Sequence, residues 1–541
     1  VPKGKKLFLL TTSLFAVLML LLAGCGGNNT ASSSSNQTIN YAPGDEPQTL
    51  DPAKATGLPD ATIINAAFEG LTRYDKSGNP SPGIATSWDI SPDKLTYTFH
   101  LRSDAKWSNG DPVTAQNFVD GWLRALDPAT ASEYAYQLYY IKGAEAYNEK
   151  KGDASGVAVK AVDDHTLQVQ LTAPAPQFLG LTSFQTLMPI DGQVVKAHAD
   201  WAASATNYVG DGPFKMVSWV PHQEIKMVKN PYYWDAANVK LDNLNFITVE
   251  DDNTQYTMFK NGQLNFEYNV PLAQVAQLKA GNNPDFKIMP EAATYFYRFN
   301  VTKKPLNDPR VRQALALAIN REQIVTDVTK AQQTPAFAFV PPGFNDANGS
   351  DFRQNGGDYF KEDVAQAQKL LAEAGYPGGK GFPALSILYN SGANHQEVAE
   401  AIQAMWQKNL NINVTLHNEE WQAYLNDMSK LNYDVARAGW MPDYMYPMTF
   451  MDMFVTGGGN NETGWSNPDY DALIQKAKTS DAGTPAAFAD MHQAEKILMT
   501  QMPITPIYFY TQPVLIKPEL KDVIIPPFGV QAEFRWAYVG K

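Results

Sequence analysis

The stretch VAQAQKLLAEAGYPGGKGFPALSILYNSGANHQEVAEAIQAMWQKNLNINVTL, residues 364–416, decides the fold class. Val364 to Ala374 has the apolar spacing of an amphipathic helix, and Gly375 followed by Pro377 stops it. Leu385, Ile387 and Tyr389 then alternate with a period of two, as the residues on one face of a strand do. Val398, Ile402 and Met405 return to helical spacing, and Ile412, Val414 and Leu416 alternate again. Helix and strand taking turns predict an α/β chain with parallel pairing. In such sheets ligands bind at the carboxyl ends of the strands.

Working outward, Asp308 is placed to cap a helix with Pro309 in its first turn and Val311, Leu315 and Ile319 on one side. Just before it, Tyr295, Tyr297 and Phe299 alternate. Residues 207–264 are rich in strand and turn signals. Thr114 opens a helix that carries Phe118, Trp122 and Leu126. It lies between two alternating strands, one with Tyr97, Phe99 and Leu101 and one with Leu167, Val169 and Leu171; Asn109-Gly110 marks a turn. Ala61 to Leu71 reads as a helix with Ile64, Phe68 and Leu71 at helical spacing. An extended segment is expected near Ile39–Tyr41, and Pro47 and Pro52 exclude regular helix after it. There is no fixed-period repeat. At 541 residues the chain exceeds what one core organises, so two or more lobes are expected.

The amino-terminal end has a different character. Lys3, Lys5 and Lys6 precede an apolar run from Leu7 to Leu22, and Leu22-Ala23-Gly24-Cys25 follows. A basic segment, a short apolar segment and small residues describe an export signal, here residues 1–24. Cys25 is the only cysteine, so no internal disulfide is available. GGNNTASSSSNQ, residues 26–37, reads as a flexible tether. Removing the signal takes three lysines and no acids, which moves the net charge from −13 to −16. Such an acidic chain does not suit nucleic acid as a partner.

Catalytic patterns are sparse. No two of the seven histidines have HExxH spacing, and neither a GxSxG elbow nor a GxxxxGK[ST] loop occurs. Ser91-Pro-Asp-Lys94 fits SxxK but sits in a turn without supporting elements. The acidic pairs Glu419-Glu420 and Asp251-Asp252 read as solvated loop charge. An exported, multi-lobed chain without these constellations suggests a binding protein that needs no cofactor and no metal.

Several long strings then fall into a familiar order: EPQTLDP (46–52), FEGL (68–71), SWDISPDKLTYTFHLR (87–102), AKWSNGDPVTAQNFV (105–119), GPFKMVSW (212–219), NPYYWD (230–235), NDPRVRQALALAINRE (307–322), YDVARAGWMPDY (433–444) and PIYFY (506–510). Together they resemble the oligopeptide-binding proteins of bacterial ABC importers, in extracellular solute-binding protein family 5, over essentially the whole mature chain. The Leu-Ala-Gly-Cys string resembles the bacterial lipobox, which implies cleavage before Cys25, a diacylglyceryl group on its thiol and acylation of the new amine. With the tether, this implies a lipid anchor at the extracytoplasmic face of the membrane and suggests a Gram-positive cell surface.

The resemblance implies a periplasmic-binding-protein-like fold with two closing lobes and an extra domain. The discontinuous lobe would comprise residues 38–68, 193–294 and 511–541; the side domain, 69–192; the second closing lobe, 295–510. It implies a monomer that captures peptides and hands them to permease subunits. Residue by residue, Asp443 in Gly439-Trp440-Met441-Pro442-Asp443 would hold the peptide ammonium. The backbone near Gly57-Leu58 and Gly439-Met441 would pair with the ligand as an added strand. Trp421, Trp440 and Tyr134 would wall the side-chain pockets, and Arg437 and His395 would meet the carboxylate. Met428 stands where an Arg is expected, and Thr329 replaces a Lys with Lys330 adjacent. A narrower ligand (a dipeptide, a pheromone peptide or haem) and a secreted hydrolase are the alternatives.

Overall fold

The computed structural model describes residues 37–540 except 77, 393 and 481. The export signal, Cys25 and nearly all of the tether lie outside the described residues. Within them, the largest sheet has eleven strands. Its order is Val414–Glu419, Leu385–Asn390, Val435–Trp440, Phe286–Phe299, Ile504–Ile516, Phe266–Glu267, Thr38–Gly44, Asn243–Thr248, Glu224–Lys229 and Phe214–Val220, with Thr334–Pro335 pairing off this path with Ile504–Ile516. Parallel pairing, predicted from the alternation in 364–416, occurs among Leu385–Asn390, Val414–Glu419 and Val435–Trp440. It recurs where Thr38–Gly44 meets Asn243–Thr248 and Phe266–Glu267. The other pairings in this sheet are antiparallel, so the sheet is mixed.

Two long strands, Phe286–Phe299 and Ile504–Ile516, run through its middle. Their register is Phe286↔Leu515 to Pro290↔Thr511, breaks, and resumes at Thr294↔Phe509. Pro290 has no N–H to give a ladder, which fits a break there. From Ala292 to Phe299 both faces of the first strand are buried. The expected one-sided alternation of Tyr295, Tyr297 and Phe299 is therefore only half of the pattern. On one side of the break lies an apolar core whose buried members all fall between Tyr295 and Tyr508, including Val311, Leu315, Ile387, Ile402 and Trp406.

A separate four-stranded antiparallel sheet has the order Ala85–Ile90, Thr96–Leu101, Thr166–Gln170, Val159–Asp163. Tyr97, Phe99, Leu101, Leu167 and Val169 are buried as the alternation predicts. The helix Ala115–Leu126 buries Phe118, Trp122 and Leu126, and Trp122 Nε1 donates to the Leu187 carbonyl at 2.8 Å. Thr114 caps this helix, with Asn117 Oδ1 accepting from the Thr114 amide at 2.8 Å. Asn117→Ala, which removes that acceptor, is expected to lower stability by about 1 kcal/mol, read from the urea midpoint; an unchanged midpoint would contradict the cap assignment.

The predicted helix Ala61–Leu71 is displaced. It spans Leu58–Ala67, with Pro59 in its first turn and Phe68 already extended at φ −124°, ψ 161°. Beyond it the chain runs close to the Thr182 carbonyl at Gly70, where any Cβ would collide. Asp308 does cap Pro309–Leu317, which ends before Ile319. Helices Val364–Glu373 and His395–Leu410 lie where the 3.6-residue spacing places them. Among the described residues no helix is long and apolar enough to cross a membrane.

Candidate ligand-binding site

A cavity of about 290 Å³ is lined by every residue singled out for ligand contact: Gly57, Leu58, Tyr134, His395, Trp421, Arg437, Gly439, Trp440, Met441 and Asp443. Its organising element is the strand Val435–Trp440. One edge of that strand pairs with Phe286–Phe299 as far as Trp440↔Thr294. The other edge pairs with Leu385–Asn390 only at Val435 and Ala436. From Arg437 onward this edge has no ladder partner; the Arg437 carbonyl accepts from Tyr424 Oη, and the backbone of Gly439–Met441 lines the hollow, where it can take an added strand. Glycine at 439 keeps the approach open: a Cβ there would lie 2.9 Å from Tyr510 Oη. Across the cavity, Gly57 is extended at φ −82°, ψ 147°, and a Cβ on it would crowd Asp60 and Trp421 Nε1.

Just beyond the strand, Asp443 is 6% exposed. Gln137 Nε2 donates to its Oδ2 at 2.7 Å, and its amide donates to Thr449 Oγ1 at 3.1 Å. Burial, and then the neighbouring Asp452, hold its carboxyl well above the usual carboxylate range. Asp452 has Lys478 at 3.3 Å, but no cationic side chain pairs with Asp443 among the described residues. A buried carboxylate without a counter-charge is costly, and a ligand cation would relieve that cost.

Arg437 is the opposite case. Its Nη2 donates to Tyr510 Oη at 2.7 Å and its Nη1 to Asn390 Oδ1 at 3.3 Å, while its guanidinium lies 4.9 Å from the Tyr295 ring centre. Its Nε is buried without a hydrogen-bond partner. His395 sits 3.3 Å from Tyr295 Oη, and burial together with Arg437 lowers its pKa well below the ordinary histidine value. At neutral pH it offers a neutral ring and not a second positive charge. Tyr134 packs against Trp440 and Phe184, with ring centres 6.1 and 4.9 Å apart. Trp421 stacks on Tyr424 at 5.5 Å, and its Nε1 is a buried donor with no partner. Met428 and Thr329, the two departures from the family pattern, also line the cavity.

Sequence reasoning missed the other charged groups in this wall: Asp45, Glu133, Glu291, Arg298 and Glu462. Arg298 is paired with Glu462. Tyr268 Oη donates to Glu291 Oε1 at 3.0 Å, and burial pushes this carboxyl up to about 7. Asp45 is pushed up to about 8, first by burial and then by Glu250, Glu420 and Asp252. The expectation that Asp251-Asp252 is solvated charge fails at Asp252, which is 6% exposed. Nor is Glu420 loose, for its carboxylate caps helix Trp421–Ser429 by accepting from the Gln422 and Ala423 amides.

The fold is that of the large α/β binding proteins whose lobes close around a ligand, a periplasmic-binding-protein-like architecture. The profile of the bacterial extracellular solute-binding proteins, family 5, matches residues 79–462, and the chain belongs to that family. It is similar to the dipeptide-binding protein DppE of Bacillus subtilis strain 168, with 40% identity over 497 residues, covering 91% of this chain and 90% of that one. The oligopeptide-binding protein OppA of the same strain is 40% identical over 512 residues, covering 93% and 92%. Among solved structures, the substrate-binding domain of an oligopeptide ABC transporter from Bacillus anthracis superposes with a TM-score of 0.89 at 32% identity, covering 94% of this chain and 99% of that one. The family and these relatives are binding components of transporters.

Proposed function

We propose that this chain captures short peptides outside the cytoplasm and delivers them to the permease of an ABC importer, releasing them chemically unchanged. The observation that carries this reading is Asp443: a buried carboxylate without a cation partner, in the wall of a cavity that also holds an unpaired strand edge. The ammonium is the one positive charge all free peptides share, and a desolvated charge-assisted bond to it contributes about 1.5–3 kcal/mol. Main-chain bonds to the Gly439–Met441 edge and to Gly57-Leu58 would add affinity without reading side chains. Arg437 would receive the carboxylate, His395 would add a neutral hydrogen bond, and Tyr134, Trp421 and Trp440 would wall the pockets.

Closure would be a hinge motion between the discontinuous lobe (38–68, 193–294, 511–541) and the lobe 295–510, with 69–192 as a side domain. The register break between Pro290 and Thr294 and the core cluster drawn wholly from residues 295–508 favour this partition, although Phe296, Phe339, Phe450 and Leu498 pack into the core shared with the other segments. The lipobox string supports a lipid anchor at Cys25, which would hold the monomer near its permease.

Calorimetry with di- to hexapeptides tests the proposal. Saturable heats at one site per chain are expected; silence across the set would overturn it. Mass spectrometry of whatever co-purifies separates short mixed peptides from one pheromone-like sequence or haem.

A further inference from the structure

Asp45 lies in the loop that follows strand Thr38–Gly44 and lines the cavity. Its Oδ1 is buried and has no hydrogen-bond partner. The charged groups acting on it are Glu250 after strand Asn243–Thr248, Asp252 at the start of its helix, Glu420 at the start of helix Trp421–Ser429, and Arg437. Three of these four carry the same sign as Asp45. Arg437 is the exception, and its Nη atoms are engaged with Tyr510 and Asn390.

The rest of the wall leans the same way. Five carboxylates line the cavity (Asp45, Glu133, Glu291, Asp443 and Glu462) against Arg298 and Arg437, and Arg298 is held by Glu462. Burying like charges together is unfavourable, so these carboxyls hold protons in the free protein and give them up when a group of opposite sign joins them. Among the described residues no three His, Cys, Asp or Glu side chains converge closely enough to hold a metal ion. Carboxylates spread this widely suit the head of a long basic side chain, which carries its charge on a flexible stem.

We propose that Asp45, which lines the cavity with a buried and unpartnered Oδ1, forms a subsite for a lysine or arginine side chain of the bound peptide, so that the protein selects basic peptides. Glu250 and Glu420 stand outside the lining, Glu420 as a helix cap, and act on the subsite only through their charge. This rests on the peptide-binding reading. It is separate from Asp443, which would meet the main-chain ammonium and is indifferent to side chains.

The test is calorimetry with Ala-Lys-Ala, Ala-Ala-Lys, their norleucine counterparts and Ala-Ala-Ala. Norleucine keeps the apolar stem and drops the charge. At least one lysine peptide is expected to bind about tenfold tighter than its norleucine twin. In Asp45→Asn that ratio should fall to near one, with folding checked by circular dichroism. Glu250→Gln, at a less buried position, should cut the ratio about twofold and serves if Asp45→Asn does not fold. Lysine and norleucine peptides that bind within twofold of each other in the unaltered protein would overturn the subsite and leave the function standing. A ratio unchanged in both variants would overturn the assignment to these carboxylates. If none of the five peptides binds, the peptide-binding reading itself falls, and this inference with it.

Discussion

In the Asp443→Asn protein, affinity for every short peptide is expected to drop by about a hundredfold, whatever the side chains. The substitution keeps the shape and one acceptor oxygen, so the bonds from Gln137 and Thr449 can persist. What it removes is the negative charge that would face the ligand ammonium under the proposed function. The same carboxyl makes a second effect. Free, it is held well above the usual range by burial and by Asp452. A bound ammonium stabilises its charged form and lowers that pKa, so binding expels a proton in the window between the two values. Affinity should therefore climb as pH rises through that window, until the peptide's own ammonium titrates near about 8. Calorimetry in buffers of different ionisation heat reads the released proton directly. In Asp443→Asn both the proton release and the rising limb should vanish. A variant that binds within threefold of the original, or still expels a proton, would remove Asp443 from the site.

Local signals carried much of the fold. Asp308-Pro309, Thr114 and the 3.6-residue spacing in 364–374 and 395–410 mark real helices, because capping and amphipathic burial act over a few residues. The two central strands were less legible. Ala292 to Phe299 and Ile504 to Phe509 are buried on both faces, so no alternation announces their length. The helix near residue 61 was placed late because Phe68 and Leu71 are buried by tertiary contacts beyond its end, not by helical periodicity. Within the site, Asp443, Arg437 and the aromatic wall were found through the strings around them. Asp45 and Glu291 stand in no string, and an isolated acid in sequence looks like surface charge. Only the fold brings Asp45 and Glu291, from distant segments, into the wall of one hollow.

Glu267 leads to the other large effect, this one on stability. It sits in the short strand Phe266–Glu267, between Thr38–Gly44 and Ile504–Ile516. It is fully buried, and neither carboxyl oxygen has a hydrogen-bond partner. Burial, and then Asp252, push its pKa up to about 9. An unfolded chain returns the group to roughly 4.3. Between those values the folded state holds a proton that the unfolded state has released. The stabilisation linked to that proton is complete below the unfolded pKa and is lost as pH rises toward the folded value. At about 1.4 kcal/mol per unit, the loss by pH 8 is on the order of 3–5 kcal/mol. Glu267→Gln removes the titration while keeping the shape. The variant is expected to match the parent within about 1 kcal/mol at pH 5 and to exceed it by about 3 kcal/mol at pH 8, in the urea transition that reports the sheet. Other buried acids, Asp60 at about 7 and Glu291 at about 7, give both proteins a falling stability with pH, so the informative quantity is the difference in slope. Parallel pH profiles for the two proteins would mean that Glu267 is charged and solvated in the native state, which its place between two paired strands does not permit.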